Sequence, residues 1–263
     1  ESEPKPPEPG DGMNVPAGYN AHWEVDGNTL VLKAYDLPSG SDLYVELPTG
    51  GKYKIGDSVF AGQDQVGRIA GIVIPDAVVG IGNYAFQGSW VRQVEIPKSV
   101  TQIGTSAFDG AKLKKVTIQG SYEKGTLGTK VFANCDELEE VVFKAPVESL
   151  PSETFALSGA YENAPLKIIL PQGLKEIESH AFYCANLNSL FIPATVDKID
   201  ESAFDGACIE TVYFGGDEET WNKITGNGVI YVSDNVQYNQ IPSRILSPES
   251  AVEFLEKLFS IFL

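Results

Sequence analysis

The chain has 263 residues, of which 36 are acidic and 19 are basic, and its formal net charge is −17. Nucleic-acid binding needs clustered lysine and arginine, so this balance argues against a nucleic-acid partner, and an anionic membrane surface would repel the chain. No apolar run reaches the ~18–20 residues that a membrane-spanning helix needs.

The N-terminal part of the chain is predicted to comprise a linker and a cap. Residues 1–13 should be extended and disordered, because they contain four prolines and no large apolar side chain before Met13. Residues 22–32 have the pattern of a β-hairpin that turns at Asp26-Gly27. An open array of repeats exposes sheet-like ends that invite pairing, so we interpret residues 14–47 as an N-terminal cap for the repeats that follow.

Seven phenylalanines recur at a nearly constant interval through the middle of the chain, in steps of 22 to 27 residues. A large aliphatic residue lies five positions before each of them, and a small or β-branched residue lies one position before. The phenylalanines are Phe60, Phe86, Phe108, Phe132, Phe155, Phe182 and Phe204, and the aliphatic residues are Ile55, Ile81, Ile103, Leu127, Leu150, Ile177 and Ile199. A period of about 20–30 residues with fixed apolar positions predicts a solenoid, in which neighbouring coils bury each other.

Each repeat contains a short alternating apolar run that predicts a strand. The most regular repeats, such as residues 75–96 and 97–118, begin with a proline that closes the preceding strand, because proline cannot donate to a ladder. Residues 119–170 carry insertions but keep the spacing between the aliphatic residue and the phenylalanine. We therefore expect about seven coils within residues 48–214.

The C-terminal segment, residues 215–263, is predicted to contain helices. Asp217 precedes a short helix, because acidic residues favour a helix N-terminus. Residues 247–263 begin with a Ser-Pro-Glu helix start and place several apolar side chains on one face. We interpret this helix as a C-terminal cap. A partner-docking or membrane-surface helix is the alternative, although Lys257 is its only cation.

The repeat resembles that of the BspA-type leucine-rich repeat family of bacterial cell-surface proteins. Residues 81–86 (IGNYAF) and 103–108 (IGTSAF) match the I-G-x-x-A-F core of that family, and the resemblance covers roughly residues 48–214. It implies a curved solenoid with a parallel sheet on the concave side. It also implies export to the bacterial surface, adhesion to or recognition of an extracellular protein or glycan, and no catalytic residues. A Pro/Glu-rich tether after a removed N-terminal segment would suit a lipid-anchored protein, and we expect a monomer.

Strand register predicts which side chains face outward on the concave side. Aligned on their closing residues, the strands give one outward column of Val73, Glu95, Thr117, Val142, Ile169, Phe191 and Tyr213. Its C-terminal half is apolar, and we predict that it binds a partner together with neighbouring side chains. The predicted partner-binding residues are Val142, Leu166, Ile169, Phe191, Tyr213, Arg92 and Lys114. Two interpretations remain open: the apolar column stabilises the sheet by cross-strand stacking, or it is a recognition stripe.

Catalytic and metal motifs are not found in the sequence: there is no G-x-S-x-G elbow, P-loop, C-x-x-C or D-x-D-x-[DN]-G loop. We expect no cofactor and no metal. Cys135, Cys184 and Cys208 follow repeat phenylalanines and are predicted to be reduced, buried side chains in tight bends.

The alternative function is a solenoid glycosidase acting on extracellular polysaccharide. It would need two carboxylates on one face, for which Glu95 and Glu140 are the candidates.

Overall fold

The computed structural model describes residues 13–37, 42–62, 68–159, 165–226 and 232–239. In chain order, the strands are β1 (Asn20–Asp26), β2 (Thr29–Asp36), β3 (Asp42–Glu46), β4 (Tyr53–Ile55), β5 (Arg68–Val73), β6 (Val78–Ile81), β7 (Gln93–Ile96), β8 (Lys115–Ile118), β9 (Glu140–Phe143), β10 (Ser149–Leu150), β11 (Leu166–Ile169), β12 (Glu176–Ile177), β13 (Asn186–Ile192), β14 (Lys198–Ile199), β15 (Cys208–Phe214) and β16 (Val236–Tyr238). One short helix, α1 (Glu218–Ile224), follows β15.

The fold is a β-solenoid of about eight turns, which confirms the predicted leucine-rich repeat architecture. Seven parallel strands form the sheet on the concave side, in the order β16-β15-β13-β11-β9-β8-β7. At the N-terminal end β3 pairs in parallel with β5, and β5 lies beside β7. Coils therefore add one strand each to a single curved face.

A second, thinner line of parallel pairing runs along the coils at the predicted aliphatic positions. Strand β2 pairs with β4, and β4 pairs with β6. Single bridges then join Ile81 to Ile103 and Ile103 to Leu127, and β10, β12 and β14 continue the line. The aliphatic residue before each phenylalanine thus helps to fix the stagger between coils.

The seven phenylalanines form one buried column, as the sequence predicts. Successive rings are stacked with centroids 4.9–5.7 Å apart. None of the seven side chains is more than 4% exposed. Stacked aromatic rings add to the free energy of their area burial, so this column is the main internal support of the solenoid.

The bend that follows each phenylalanine requires a left-handed backbone conformation. The residue two positions later has a φ between +49° and +69° in every coil; these residues are Gly62, Gly88, Gly110, Asn134, Leu157, Cys184 and Gly206. Glycine occupies four of the seven positions because it adopts positive φ without a Cβ penalty. Local backbone geometry therefore explains why glycine recurs in this bend.

The glycine of the I-G-x-x-A-F core is explained by close contact between coils. A Cβ built on Gly104 would lie 2.5 Å from the backbone nitrogen of Asn83, and one built on Gly128 would lie 2.5 Å from the backbone carbon of Gly104. Real Cβ atoms do not approach backbone atoms so closely. Only glycine lets these coils stack at this distance.

The predicted N-terminal hairpin is present: β1 and β2 are antiparallel, and Gly27 in their turn has a φ of +59°. Tyr35 at the end of β2 packs edge-on against Phe60, with ring centroids 6.1 Å apart, and so extends the aromatic column. The stretch predicted as a cap also contains β3, which belongs to the concave side. Whether the hairpin acts as a cap stays a prediction.

At the C-terminal end, α1 begins where the sequence predicts. The Asp217 carboxylate accepts a hydrogen bond from the backbone N–H of Thr220 at 2.8 Å, which caps the helix. Trp221 is buried against Phe214, with ring centroids 5.2 Å apart. The predicted linker before Met13 and the predicted helix over residues 247–263 lie outside the described residues.

Candidate functional site

The concave sheet presents its side chains in registered columns. In β7 and β8 the core residues alternate with outward residues, and Glu95 lies opposite Thr117. The same column continues from Thr117 to Val142. Further along, Ile169 lies opposite Phe191, and Phe191 lies opposite Tyr213. The predicted outward column therefore has the register that the sequence indicates.

Three members of the predicted apolar stripe are half-buried on this face: Val142, Ile169 and Tyr213. Phe191 differs, because its side chain is only 2% exposed although it lies outside the main core cluster. It stands between Ile169 and Tyr213, and its ring tip lies close to Gly215. The expectation that Phe191 offers its ring to a partner is therefore wrong, and its packing matches the stacking interpretation.

Leu166 is not a surface residue, which corrects a second expectation. Its side chain is fully buried, and it pairs with the core residue Leu187. The ladder between β11 and β13 shifts register between Leu166 and Lys167. Strand β11 thus has one residue fewer between its core residues Leu166 and Ile168 than β13 has at the same place, so alignment on the closing residue puts Leu166 in the wrong column.

The predicted basic residues are already engaged with acidic side chains of the following coils. Arg92 lies 3.5 Å from Glu137, and Lys114 lies 3.1 Å from Glu139. Such exposed pairs contribute little to stability because solvent screens them. They do neutralise the middle of the concave face, so Arg92 and Lys114 do not form an open basic patch there.

A glycosidase needs one carboxyl group that is protonated near neutral pH and a second carboxylate on the same face. A cleft of about 540 Å³ lies on another part of the surface and is lined by Tyr122, Glu148 and Lys175 among others. Glu148 pairs with Lys175 at 2.9 Å, and this hydrogen bond lowers its pKa. On the concave face, Glu140 pairs with Lys115 at 2.6 Å. Both carboxylates are thus engaged in ion pairs with lysines.

Metal-ligating side chains and thiols are the other candidate reactive groups in the part of the chain that the structure describes. No group of three or more His, Cys, Asp and Glu side chains there could hold a metal ion. None of the three cysteines forms a disulfide bond. Cys135 is buried, as predicted, and burial raises its pKa. Cys184 is half-buried and Cys208 is exposed, so the prediction of three buried thiols is wrong for Cys208.

A match to the profile of a known repeat family identifies the family of this chain. The profile of the BspA type leucine rich repeat region matches residues 53–164 and 158–225, in six copies. The chain belongs to the BspA-type leucine-rich repeat family. No curated protein sequence gives a significant match. Within the described residues, no helix is both long and apolar enough to cross a membrane.

Several solved structures resemble this BspA-type chain. The leucine rich repeat protein TpLRR of T. pallidum is 18% identical, with 85% of this chain and 99% of that chain covered and a TM-score of 0.47. A leucine rich cell surface protein of Faecalibacterium prausnitzii is 18% identical, covering 88% and 96%, with a TM-score of 0.28. The pneumococcal vaccine antigen PcpA is 11% identical, covering 90% of each chain, with a TM-score of 0.41. The family assignment rests on the repeat profile alone.

Proposed function

We propose that this protein is a non-catalytic binding or adhesion module, exported to the bacterial surface, that recognises an extracellular protein or glycan through its concave face. The observation that carries the proposal is the register of that face: outward side chains stand in columns on parallel strands over a stacked aromatic support. A rigid display of this kind loses little conformational freedom on binding.

The contacts that we assign to a partner are the half-buried members of the stripe. Val142, Ile169 and Tyr213 expose part of their apolar surface on the same side of the sheet. Ordered aromatic and aliphatic side chains of this type supply much of the binding energy at interfaces. The paired Arg92 and Lys114 would act as peripheral contacts beside the apolar side chains, where charge affects association rate and salt dependence more than dissociation.

The experiment begins with an array of extracellular-matrix proteins and glycans probed with the full chain. Binders are then tested against the double variant Ile169→Ser/Tyr213→Ser. The matched control is Tyr84→Ser/Leu157→Ser, which removes an aromatic and an aliphatic side chain that are 42% and 39% exposed outside the sheet. We expect the stripe variant to lose binding by at least about tenfold and the control variant to keep it. Loss of stability with retained binding would instead make the stripe a purely structural feature.

A further inference from the structure

The N-terminal end of the concave face carries the two most exposed large apolar side chains among the described residues. Tyr44 on β3 is 79% exposed, and Val73 on the neighbouring strand β5 is 70% exposed. Val45 follows Tyr44 in β3, and Ile72 precedes Val73 in β5. These two residues lie opposite each other in the ladder, and both are buried in the core. Tyr44 and Val73 therefore face outward, at the end of the face opposite to the predicted stripe. This surface was not selected by the sequence analysis.

The Tyr44 ring lies on a glycine. Strand pairing places Tyr44 opposite Gly71, and a Cβ built on Gly71 would come within 2.8 Å and 2.9 Å of the Cδ1 and Cε1 atoms of the ring. The ring thus covers Gly71 closely, and its other face points to solvent. A side chain at position 71 would therefore displace the Tyr44 ring from this place.

Two carboxylates flank these apolar side chains. Glu46 lies opposite Val73 in the ladder between β3 and β5, and it is exposed. Glu95 holds the equivalent position on β7, where it is exposed and accepts a hydrogen bond from Gln119. Strand β5, which carries Val73, lies between β3 and β7, so Val73 stands between the two carboxylates. We call the group of Tyr44, Glu46, Gly71, Val73 and Glu95 the Tyr44 patch.

The charges of the Tyr44 patch differ from those in the middle of the face. There, Arg92, Lys114 and Lys115 each pair with a glutamate of a following coil. Neither Glu46 nor Glu95 has a basic partner among the described residues. The patch therefore combines two exposed apolar side chains, Tyr44 and Val73, with the two carboxylates Glu46 and Glu95. It lies in a chain that carries a net charge of −17.

We propose that the Tyr44 patch docks a lysine or arginine side chain of a basic partner segment, which rests on the proposed function of the concave face and names the chemistry of its partner. Lysine and arginine combine an apolar stem with a cationic head. The stem would pack on Val73, and the head would lie over the open face of the Tyr44 ring, within reach of Glu46 and Glu95. Cation–π attraction and the two carboxylates favour the same ligand, and the overall negative charge speeds its approach.

The test measures binding of a capped octapeptide of alternating lysine and serine to the full chain by isothermal titration calorimetry at low salt. The comparison peptide has every lysine acetylated on Nζ, which keeps the stem and removes the charge. We expect saturable binding of the lysine peptide, at least about tenfold weaker binding of the acetylated peptide, and weakening by salt. Equal binding of both peptides, or no binding of the lysine peptide, would overturn the proposal.

Variants separate the patch from general attraction to an acidic protein. Tyr44→Ala and Glu46→Gln should each weaken binding at least about fivefold. Glu210→Gln changes the net charge as Glu46→Gln does, but it lies on β15 at the other end of the face, so it should leave binding within about twofold. Equal losses for Glu46→Gln and Glu210→Gln would overturn the patch assignment. Loss of binding only in Ile169→Ser/Tyr213→Ser would also overturn it while leaving the proposed function of the concave face intact.

Discussion

The rings of Phe86 and Phe108 lie parallel, with an interplanar angle of 3° and centroids 4.9 Å apart. Both side chains are fully buried, and backbone hydrogen bonds join the same coils beside them, with the N–H of Phe86 donating to the carbonyl of Ala107 at 2.7 Å. The spacing of one coil on the next is therefore set in the aromatic column and in the backbone together. Changes in this column should be felt across coil boundaries.

Replacing Phe108 with Ala should lower the free energy of unfolding by ~3–5 kcal/mol, because it removes a buried aromatic side chain and leaves a cavity between two stacked rings. Denaturant unfolding, followed by one spectroscopic signal that reports on all coils, would measure this loss of free energy. The control is Thr117→Ala, on an outward position of β8, which should cost less than about 1 kcal/mol. A loss below about 1 kcal/mol for Phe108→Ala would contradict the assigned role of the column.

Gly104, which permits the close contact between two coils, gives a sharper test. Gly104→Ala should destabilise the protein by about 1–3 kcal/mol, since its Cβ would meet backbone rather than a movable side chain. Gly88→Asn is the contrasting variant: it lies in the positive-φ bend, where another coil has Asn134 with a φ of +55°. Asparagine tolerates this conformation, so the cost should stay below about 1 kcal/mol. Equal costs for the two variants would show that the close contact is not limiting.

Buried tyrosines predict a loss of stability at high pH. Burial raises the pKa of Tyr53 and of Tyr122 above the ordinary value of 10.0. The folded state therefore holds these protons more tightly than the unfolded state, and their contribution is complete below pH 10 and falls as pH rises above it. Melting temperatures between pH 8 and pH 11 should decline in the upper part of this range. A flat profile would contradict the burial of these hydroxyls.

Tyr122→Phe separates the two tyrosines. The Tyr122 hydroxyl is buried without a hydrogen-bond partner among the described residues, so its removal should be neutral or stabilising at pH 7 and should reduce the loss above pH 10. The Tyr53 hydroxyl donates to the carbonyl of Pro48 at 3.0 Å, so Tyr53→Phe should cost about 1 kcal/mol at pH 7. If Tyr122→Phe were less stable than Tyr53→Phe at pH 7, the Tyr122 hydroxyl would have a hydrogen-bond partner.

The three thiols should react in order of exposure. Thiol titration of the native protein should modify Cys208 first, whereas Cys135, which is fully buried and has a raised pKa, should react only after unfolding. Cys208→Ser should remove the fast phase, and Cys135→Ser should leave it unchanged. Rapid reaction of two or more thiols in the Cys208→Ser variant would contradict the burial of Cys135.

The solenoid could be predicted from sequence because the same apolar positions recur in every coil, and each recurrence confirms the register of the others. The site could be predicted only in part. Sequence alignment puts Leu166 on the surface because β11 has one residue fewer between its two core positions, which alignment on the closing residue cannot detect. For Phe191, alternation along the strand predicts the side of the sheet on which the side chain lies. It does not predict whether other residues bury that side chain. Tyr44 was missed because β3 precedes the first phenylalanine and shows no repeat signal.

The most direct test of the account blocks the concave face with a bulky side chain and measures binding to whichever matrix protein or glycan the wild-type chain retains. Ser189→Trp places the block on β13 in the centre of the face, and Glu201→Trp places the same side chain on the exposed turn before Phe204. The account predicts that Ser189→Trp abolishes binding with an unchanged melting temperature, while Glu201→Trp binds as the wild type does. Undiminished binding by Ser189→Trp, with loss in Glu201→Trp, would contradict it.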